Sequence, residues 1–357
     1  MTLQPKKKKI VLTGGGTGGH ILPNLALVPR LKSAFDICYI GAPNSMEEDL
    51  VKKIDGVTFF SVPAVKLRRS LSPRNLLIPF KLLSGIRKAK KLLKEIKPDV
   101  VFSKGGYVAL PVVMAARKLK IPYIIHESDM SMGLANRLAA KKAKYVCGGF
   151  ANAVEGLDNG VRTGAPIRHI LYEGSASTAK ASLGITSDKP VLLVMGGSSG
   201  AAAINQAIAG CLDTLTAKYE VIHLTGKGKS PLSNSSLSYY HPIEFTQSIQ
   251  DLFALTSLCV TRGGAGALFE LTALNIPSLI IPLPKSRSSR GDQVQNAKYF
   301  EERNYAAVLE QENLTPETLL SSIEDLSSRV PVLKKAMATA TGIDGSAKIV
   351  ELIKKTV

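Results

Sequence analysis

Two stretches decide how this chain folds: LTGGGTGGHILP, Leu12–Pro23, and VMGGSSGAAAIN, Val194–Asn205. Each leaves an apolar run, turns through glycines and enters a helical pattern, which is the opening of a strand, turn and helix unit. Outward from the first stretch, short apolar runs recur at KIVLT (Lys9–Thr13), ICYIG (Ile37–Gly41), DVVFS (Asp99–Ser103), PYIIHE (Pro122–Glu127) and YVCGG (Tyr145–Gly149). Outward from the second they recur at PVLLVMGG (Pro190–Gly197), EVIHLTG (Glu220–Gly226), LCVTRGG (Leu258–Gly264) and SLIIPLP (Ser278–Pro284). Short buried strands separated by helices predict parallel sheets joined by right-handed crossovers. Two such series in succession predict two α/β domains, with a boundary near residue 165 and Gly164–Arg168 as the connection. SAKIVELIKKTV, Ser346–Val357, is a last helical pattern that could pack back on the first domain.

Of 357 residues, 45% are hydrophobic and 21% charged, the balance of a soluble globular protein. No apolar run reaches the roughly 18 residues that cross a bilayer, and the lysines at the start precede no signal core, so an intracellular chain is expected. Cys38, Cys147, Cys211 and Cys259 are widely spaced and read as reduced, buried thiols. The net charge of +18 is uneven. Residues 1–165 hold 28 Lys+Arg against 11 Asp+Glu, whereas residues 166–357 are nearly balanced at 18 against 17. An anionic partner for the first half follows.

Gly14, Gly16 and Gly19 spell GxGxxG, which a dinucleotide site would complete with an acid closing the second strand. That strand instead runs out through Ile40-Gly41-Ala42-Pro43, and Asp36 precedes it. What remains is a turn whose backbone N–H groups and following helix can hold a phosphate. Three more turns share the design: Ser103–Tyr107, Gly196–Ala201 and Arg262–Gly266. The last leads into a helix carrying Glu270, a carboxylate able to accept from two ribose hydroxyls. Three glycine turns and this acid suggest a nucleotide diphosphate in the second domain. His20 closes the first turn and Glu127 ends a strand, so both are acid or base candidates. HExxH, DxD and paired cysteines are absent, and no metal site is expected. A nucleic-acid partner is not expected, because aromatics are only 6% of the chain and no recognition module is recognisable.

The ordered set GGTGGH (Gly15–His20), KGGYVALP (Lys104–Pro111), HESDMSMGLANR (His126–Arg137), GAPIR (Gly164–Arg168), GGSSGAAAIN (Gly196–Asn205), HLTG (His223–Gly226), TRGGAGALFEL (Thr261–Leu271), IPLP (Ile281–Pro284) and DQVQNA (Asp292–Ala297) resembles the MurG family of lipid glycosyltransferases, glycosyltransferase family 28. The resemblance implies a GT-B fold of two Rossmann-like domains facing an interdomain cleft. Residues 1–165 would bind the acceptor and the membrane, 166–340 would bind UDP-GlcNAc, and 341–357 would form the returning helix. It implies inverting transfer of N-acetylglucosamine from UDP-GlcNAc to the C4 hydroxyl of undecaprenyl-diphospho-muramoylpeptide at the cytoplasmic face of the bacterial plasma membrane, beside other cell-wall synthesis proteins. Another GT-B lipid glycosyltransferase using a UDP-sugar remains the alternative.

Carried over by position, His20 is the base with Glu127 as its rival. Thr17, Gly18, Asn136, Arg168, Gly197, Ser198, Ile249, Ala265, Glu270, Gln293 and Asn296 serve the donor. Gly14, Gly15, Gly16, Gly19, Gly105, Gly106 and Tyr107 serve the acceptor diphosphate. No cofactor is required by the resemblance, and the effect of a divalent ion stays open. The chain departs from the family pattern at Ser128, Asp129, Ser199, Ala267 and Asp292. Within Ser72–Lys97, Leu76, Leu77, Ile78, Phe80, Leu82 and Leu83 mix with many lysines and arginines, which suits an anionic bilayer. The helical spacing of Leu82, Leu83, Ile86, Leu93 and Ile96 also suits burial against a core.

Overall fold

The computed structural model describes residues 7–64, 78–197, 200–230, 237–286 and 289–357. They form two compact units, Met1–Arg168 with Gly342–Val357, and His169–Thr341.

The first unit contains seven strands: β1 (Lys8–Thr13), β2 (Phe35–Gly41), β3 (Val57–Ser61), β4 (Val100–Ser103), β5 (Tyr123–Glu127), β6 (Tyr145–Gly148) and β7 (Gly160–Arg162). Every pairing is parallel, in the order β3-β2-β1-β4-β5-β6-β7. Because side chains alternate across a strand, each apolar run serves both faces. Ile10 and Leu12 join one core with the helices Gly18–Leu31 and Ser346–Thr356, while Val11 joins the other. That second core takes the inner faces of the helices Ile78–Ile96, Ala109–Lys118 and Leu134–Ala140.

The second unit repeats the plan with six strands: β8 (Val191–Met195), β9 (Glu220–Leu224), β10 (Tyr240–Ile243), β11 (Leu258–Thr261), β12 (Ser278–Ile280) and β13 (Ala307–Val308). Again all pairs are parallel, in the order β10-β9-β8-β11-β12-β13. The helix Pro316–Ser328 covers one face, started by a capping box between Thr315 and Thr318. Cys147, Cys211 and Cys259 are buried and Cys38 is partly so, all as free thiols.

The chain's last segment is integral to the first unit. Ala165 N–H donates to Ile343 O at 3.0 Å, and Gly345 N–H donates to Ala165 O at 2.8 Å. Ile167 N–H donates to Ser346 Oγ at 3.1 Å. The helix Ser346–Thr356 then buries Ile349 and Ile353 completely against the strand face that also takes Ile10 and Phe102. Truncating Ile353 to Ala is expected to lower the stability of the first unit by about 2–5 kcal/mol, the usual range for emptying a buried aliphatic site. Urea unfolding followed on first-unit probes measures it, and the second unit's transition should stay in place.

Candidate functional site

In an open parallel sheet the chain leaves opposite faces on either side of the point where strand order reverses, and ligands sit outside the carboxyl ends there. The reversal falls between β1 and β4 in the first unit and between β8 and β11 in the second. The four glycine turns follow those four strands. Each unit therefore has a pair of turns flanking its own switch point.

The first turn is built in two halves. Its inner glycines are hemmed in: an added Cβ would lie 2.7 Å from His20 O at Gly14, 2.3 Å from Glu47 Oε1 at Gly15, and 2.4 Å from the Tyr107 ring at Gly16. Gly16 also has φ +91°, the left-handed region that favours glycine. Buried Glu47 braces this half, accepting from Gly16 N–H at 3.4 Å and Ala42 N–H at 3.2 Å. From the other side Tyr39 donates to Gly14 O at 2.5 Å and receives a bond from Asn24 at 3.2 Å. The outer half is open. At Gly18 and Gly19 a Cβ would meet nothing closer than 3.8 Å, and these residues begin the helix Gly18–Leu31 behind its N-cap Thr17. No internal contact demands glycine there, so the space belongs to whatever approaches the helix N-terminus.

His20 lies one turn further on, half-buried. Its Nδ1 is 3.1 Å from Lys104 O. A carbonyl can only accept, so Nδ1 carries the hydrogen and the lone pair of the neutral ring falls on Nε2. Gly106 packs against the His20 ring, and Gly105 packs against Asn136.

Glu127 is placed differently. Its Oε1 accepts from Asp129 N–H at 3.2 Å, and its Oε2 accepts from Gly133 N–H at 2.9 Å and Asn136 Nδ2 at 3.0 Å. The carboxylate is buried and staples the loop after β5. Three donors of the first unit already occupy it. Asn136 is likewise internal to the first unit, donating also to His126 O. Next to it, burial and the Lys104 charge push His126 well below the usual imidazole range, with Nε2 held by Gly164 O at 2.8 Å.

In the second unit, Ser198 and Ser199 lie outside the described residues. The flanking glycines are placed: Gly196 is packed against Ala201, and Gly197 is open with φ +80°. At the partner turn Gly263 N–H donates to Gln293 Oε1 at 3.2 Å, and Leu283 N–H donates to the same oxygen at 2.9 Å. Both bonds require the carbonyl oxygen of Gln293, so its NH2 is turned to donate elsewhere. Gly264 and Gly266 have nothing within 4 Å of an added Cβ. Gly266 and half-buried Glu270 are four residues apart on the helix Ala265–Ala273, hence on one face.

The donor set is not all of one kind. Asn296 is completely buried and donates to Gly263 O at 3.1 Å, so it supports the turn from behind. Ala265 is buried as well and offers only its backbone N–H. Ile249 opens the helix Ile249–Leu255, half-buried. Thr17, Gly18, Asn136 and Arg168 belong to the first unit, Arg168 as its last residue before the crossing. The HLTG motif is internal: His223 bonds Tyr240 Oη at 3.0 Å and Asn205 Oδ1 at 3.1 Å, and burial pushes it down to about 4.

Glu47 shapes the first turn but reads in the sequence only as a first-turn acid, since Ser45 caps the short helix Met46–Val51. Lys104 is visible there as the start of the KGGYVALP motif, but its burial is not.

Residues 10–147 match the glycosyltransferase family 28 N-terminal domain, and residues 191–355 match the glycosyltransferase family 28 C-terminal domain. The chain belongs to glycosyltransferase family 28. Among similar family members is one from Lachnospira eligens, 43% identical over 97% of this chain and 99% of its own. One from Lachnoclostridium phytofermentans is 44% identical over 98% of this chain and 99% of its own. Both are named UDP-N-acetylglucosamine–N-acetylmuramyl-(pentapeptide) pyrophosphoryl-undecaprenol N-acetylglucosamine transferase. The crystal structure of Acinetobacter baumannii MurG superposes with a TM-score of 0.73 at 26% identity, covering 98% of this chain and 99% of that one. The family 28 chain is therefore a glycosyltransferase with the two Rossmann-like units of the GT-B fold. A Neisseria meningitidis UDP-GlcNAc 2-epimerase shares the fold alone, at 15% identity and a TM-score of 0.67 over 98% of this chain and all, 100%, of its own.

The two halves of the first turn should separate in experiment. Gly14→Ala forces a backbone clash and is expected to destabilise the first unit by about 1–3 kcal/mol. Gly18→Ala should leave the thermal midpoint unchanged or raised while turnover falls. A Gly18→Ala enzyme with full turnover would show that nothing approaches the open half.

Proposed function

We propose that this chain transfers N-acetylglucosamine from UDP-GlcNAc to the muramoyl C4 hydroxyl of undecaprenyl-diphospho-muramoylpeptide, with inversion at the anomeric carbon. The names of relatives 42–44% identical over nearly the whole chain support the donor and acceptor. The observation that carries the chemistry is the orientation of His20 by Lys104 O.

In the reaction the C4 oxygen attacks C1 of the donor sugar, the bond from C1 to the diphosphate oxygen breaks, and UDP departs with that electron pair. The hydroxyl proton goes to Nε2 of His20, whose lone pair is directed there because Nδ1–H is committed to a carbonyl. General-base assistance of this kind contributes about 10²–10⁴-fold. The open start of the helix Gly18–Leu31 receives the acceptor's diphosphate at Gly19, with Thr17 and Gly18 serving the donor as the family resemblance implies. On the second unit the turns Gly196–Gly200 and Gly263–Gly266 receive the donor's diphosphate, and Glu270 its ribose. The helix N-terminus at Ala265 supplies partial positive charge to the leaving UDP.

The acceptor's lipid explains the basic first unit. On the helix Ile78–Ile96, Ile86, Leu92, Leu93 and Ile96 are buried and Leu82 packs beside them, yet Phe80 is 70% and Leu83 46% exposed. The two sequence readings of this segment thus divide between the helix's two faces. Lys81, Arg87, Lys88, Lys91 and Lys94 accompany the outward apolar pair. On the same sheet face the helix Leu134–Ala140 exposes Leu134 and Leu138 beside Arg137. Leu76 and Leu77 lie outside the described residues. Among the described residues no helix is long and apolar enough to cross a membrane. A peripheral hold on an anionic bilayer fits this surface, each nearby Lys or Arg adding about 1 kcal/mol.

Incubation with lipid-linked muramoylpeptide and labelled UDP-GlcNAc should yield a disaccharide lipid, and no label in lipid would refute the assignment. His20→Ala is expected to lower kcat by about 10²–10⁴-fold with the KM for UDP-GlcNAc little changed. Sedimentation with phosphatidylglycerol vesicles should pull the protein down at low salt and release it at high salt. A Phe80→Ser/Leu83→Ser double variant should bind them more weakly, and vesicle binding indifferent to both salt and that variant would rule out the surface.

A further inference from the structure

Lys104 is a lysine without a surface. It follows β4 at the switch point, is 1% exposed, and its ammonium donates to Ser128 Oγ. The groups around it are His126 and Glu127 at the end of β5, Asp129 in the loop beyond, and Cys147 on β6. Burying an ammonium costs several kcal/mol unless it is repaid by charge and hydrogen bonds. Its aliphatic stem could be replaced by a plain hydrophobic side chain if packing were the only need.

The chemistry of the contact points to a use. A charged ammonium has three donors and no lone pair. Ser128 Oγ must therefore accept from Lys104, and the hydroxyl's one hydrogen is turned away from it. Among the described residues nothing accepts that hydrogen. Ser128 is half-buried, so this side chain connects the buried charge with the outside of the site. A serine in solution points its hydrogen at will, whereas here one lone pair is committed to the ammonium and the hydrogen is held away from it.

We propose that the Lys104–Ser128 pair is a specificity device of the first unit, in which the buried ammonium holds the Ser128 hydroxyl hydrogen outward to donate to an anionic oxygen of the acceptor substrate. This rests on the reading of the first unit as the site of a lipid-linked sugar diphosphate. Lys104 is then a positioning residue and Ser128 the contact. Ser128 stands where the chain departs from the family pattern.

The pair also sets a pH dependence. Burial lowers the Lys104 ammonium to about 8, although Glu127, Asp129 and Cys147 work to raise it. Below that pH the ammonium is charged and Ser128 is held as a donor. Above it the neutral amine has a lone pair, the hydroxyl can swing to donate inward, and the contact with the substrate is lost.

The test is steady-state kinetics of the full chain with lipid-linked muramoylpeptide and UDP-GlcNAc, for Ser128→Ala, Ser128→Thr, Lys104→Met and the double variant, with a thermal midpoint for each. Ser128→Ala and Lys104→Met should each raise the acceptor KM about tenfold, the loss of one charge-assisted hydrogen bond. The KM for UDP-GlcNAc should not move. The double variant should be no worse than either single one, and Ser128→Thr should behave like the parent. The parent's acceptor KM should rise above about pH 8, whereas in Lys104→Met it should stay level. Ser128, only half-buried, keeps the test valid even where Lys104→Met unfolds. An unchanged acceptor KM in Ser128→Ala, or effects that multiply in the double variant, overturns the inference alone. Absence of any disaccharide product from the parent chain overturns it together with the reading on which it rests.

Discussion

A parallel sheet has no hairpins, so each strand must be followed by a crossover that returns the chain over one face. That constraint puts every strand's carboxyl end on one edge, and it makes the reversal of strand order the only place where two successive turns diverge instead of packing together. Both units of this chain obey it. In the first unit the divergence lies between Thr13 and Ser103, in the second between Met195 and Thr261. Glycines follow those positions because a backbone that must expose its N–H groups cannot also carry side chains over them.

The supporting structure shows how such turns are held open. Glu47, Tyr39, Asn24 and Tyr107 grip the inner half of Gly14–Gly19, leaving Thr17, Gly18 and Gly19 outward. Gln293 and Asn296 do the corresponding work for Gly263, one from each side. Lys104 joins these supports to the chemistry: its carbonyl sets the tautomer of His20, and its ammonium sets the direction of the Ser128 hydroxyl. One residue at the end of one strand thereby orients two groups on other elements.

Nine of the thirteen strands among the described residues were legible as apolar runs, and the four that were not are β3, β7, β10 and β13. Each of these is a sheet edge. An edge strand has a single partner and is partly exposed, as in the sequence VTFFS with no fully buried residue, so its apolar signal is diluted. The central strands β4, β5, β8 and β11 are buried at every position and could hardly be misread. Site residues divide in the same way. Residues set by backbone need, the glycines above all, were visible as motifs. Residues set by three-dimensional neighbours, such as Glu47, were not.

The amino-acid sequence by itself determined the α/β class, the two-unit division, the four glycine turns, the uneven charge and the candidacy of His20 and Glu270, because periodicity and glycine spacing are local properties. Only the tertiary structure decided which candidates reach outward. It bound Glu127 to three donors, put Asn296 and the side chain of Ala265 inside, turned Phe80 and Leu83 out while burying Ile86 and Leu93, and returned Ser346–Thr356 to the first unit. The physical reason is that a side chain's role depends on the partners that satisfy its polar atoms. Those partners, 84 residues apart for His20 and Lys104 and 24 for Lys104 and Ser128, meet only when the sheet is assembled.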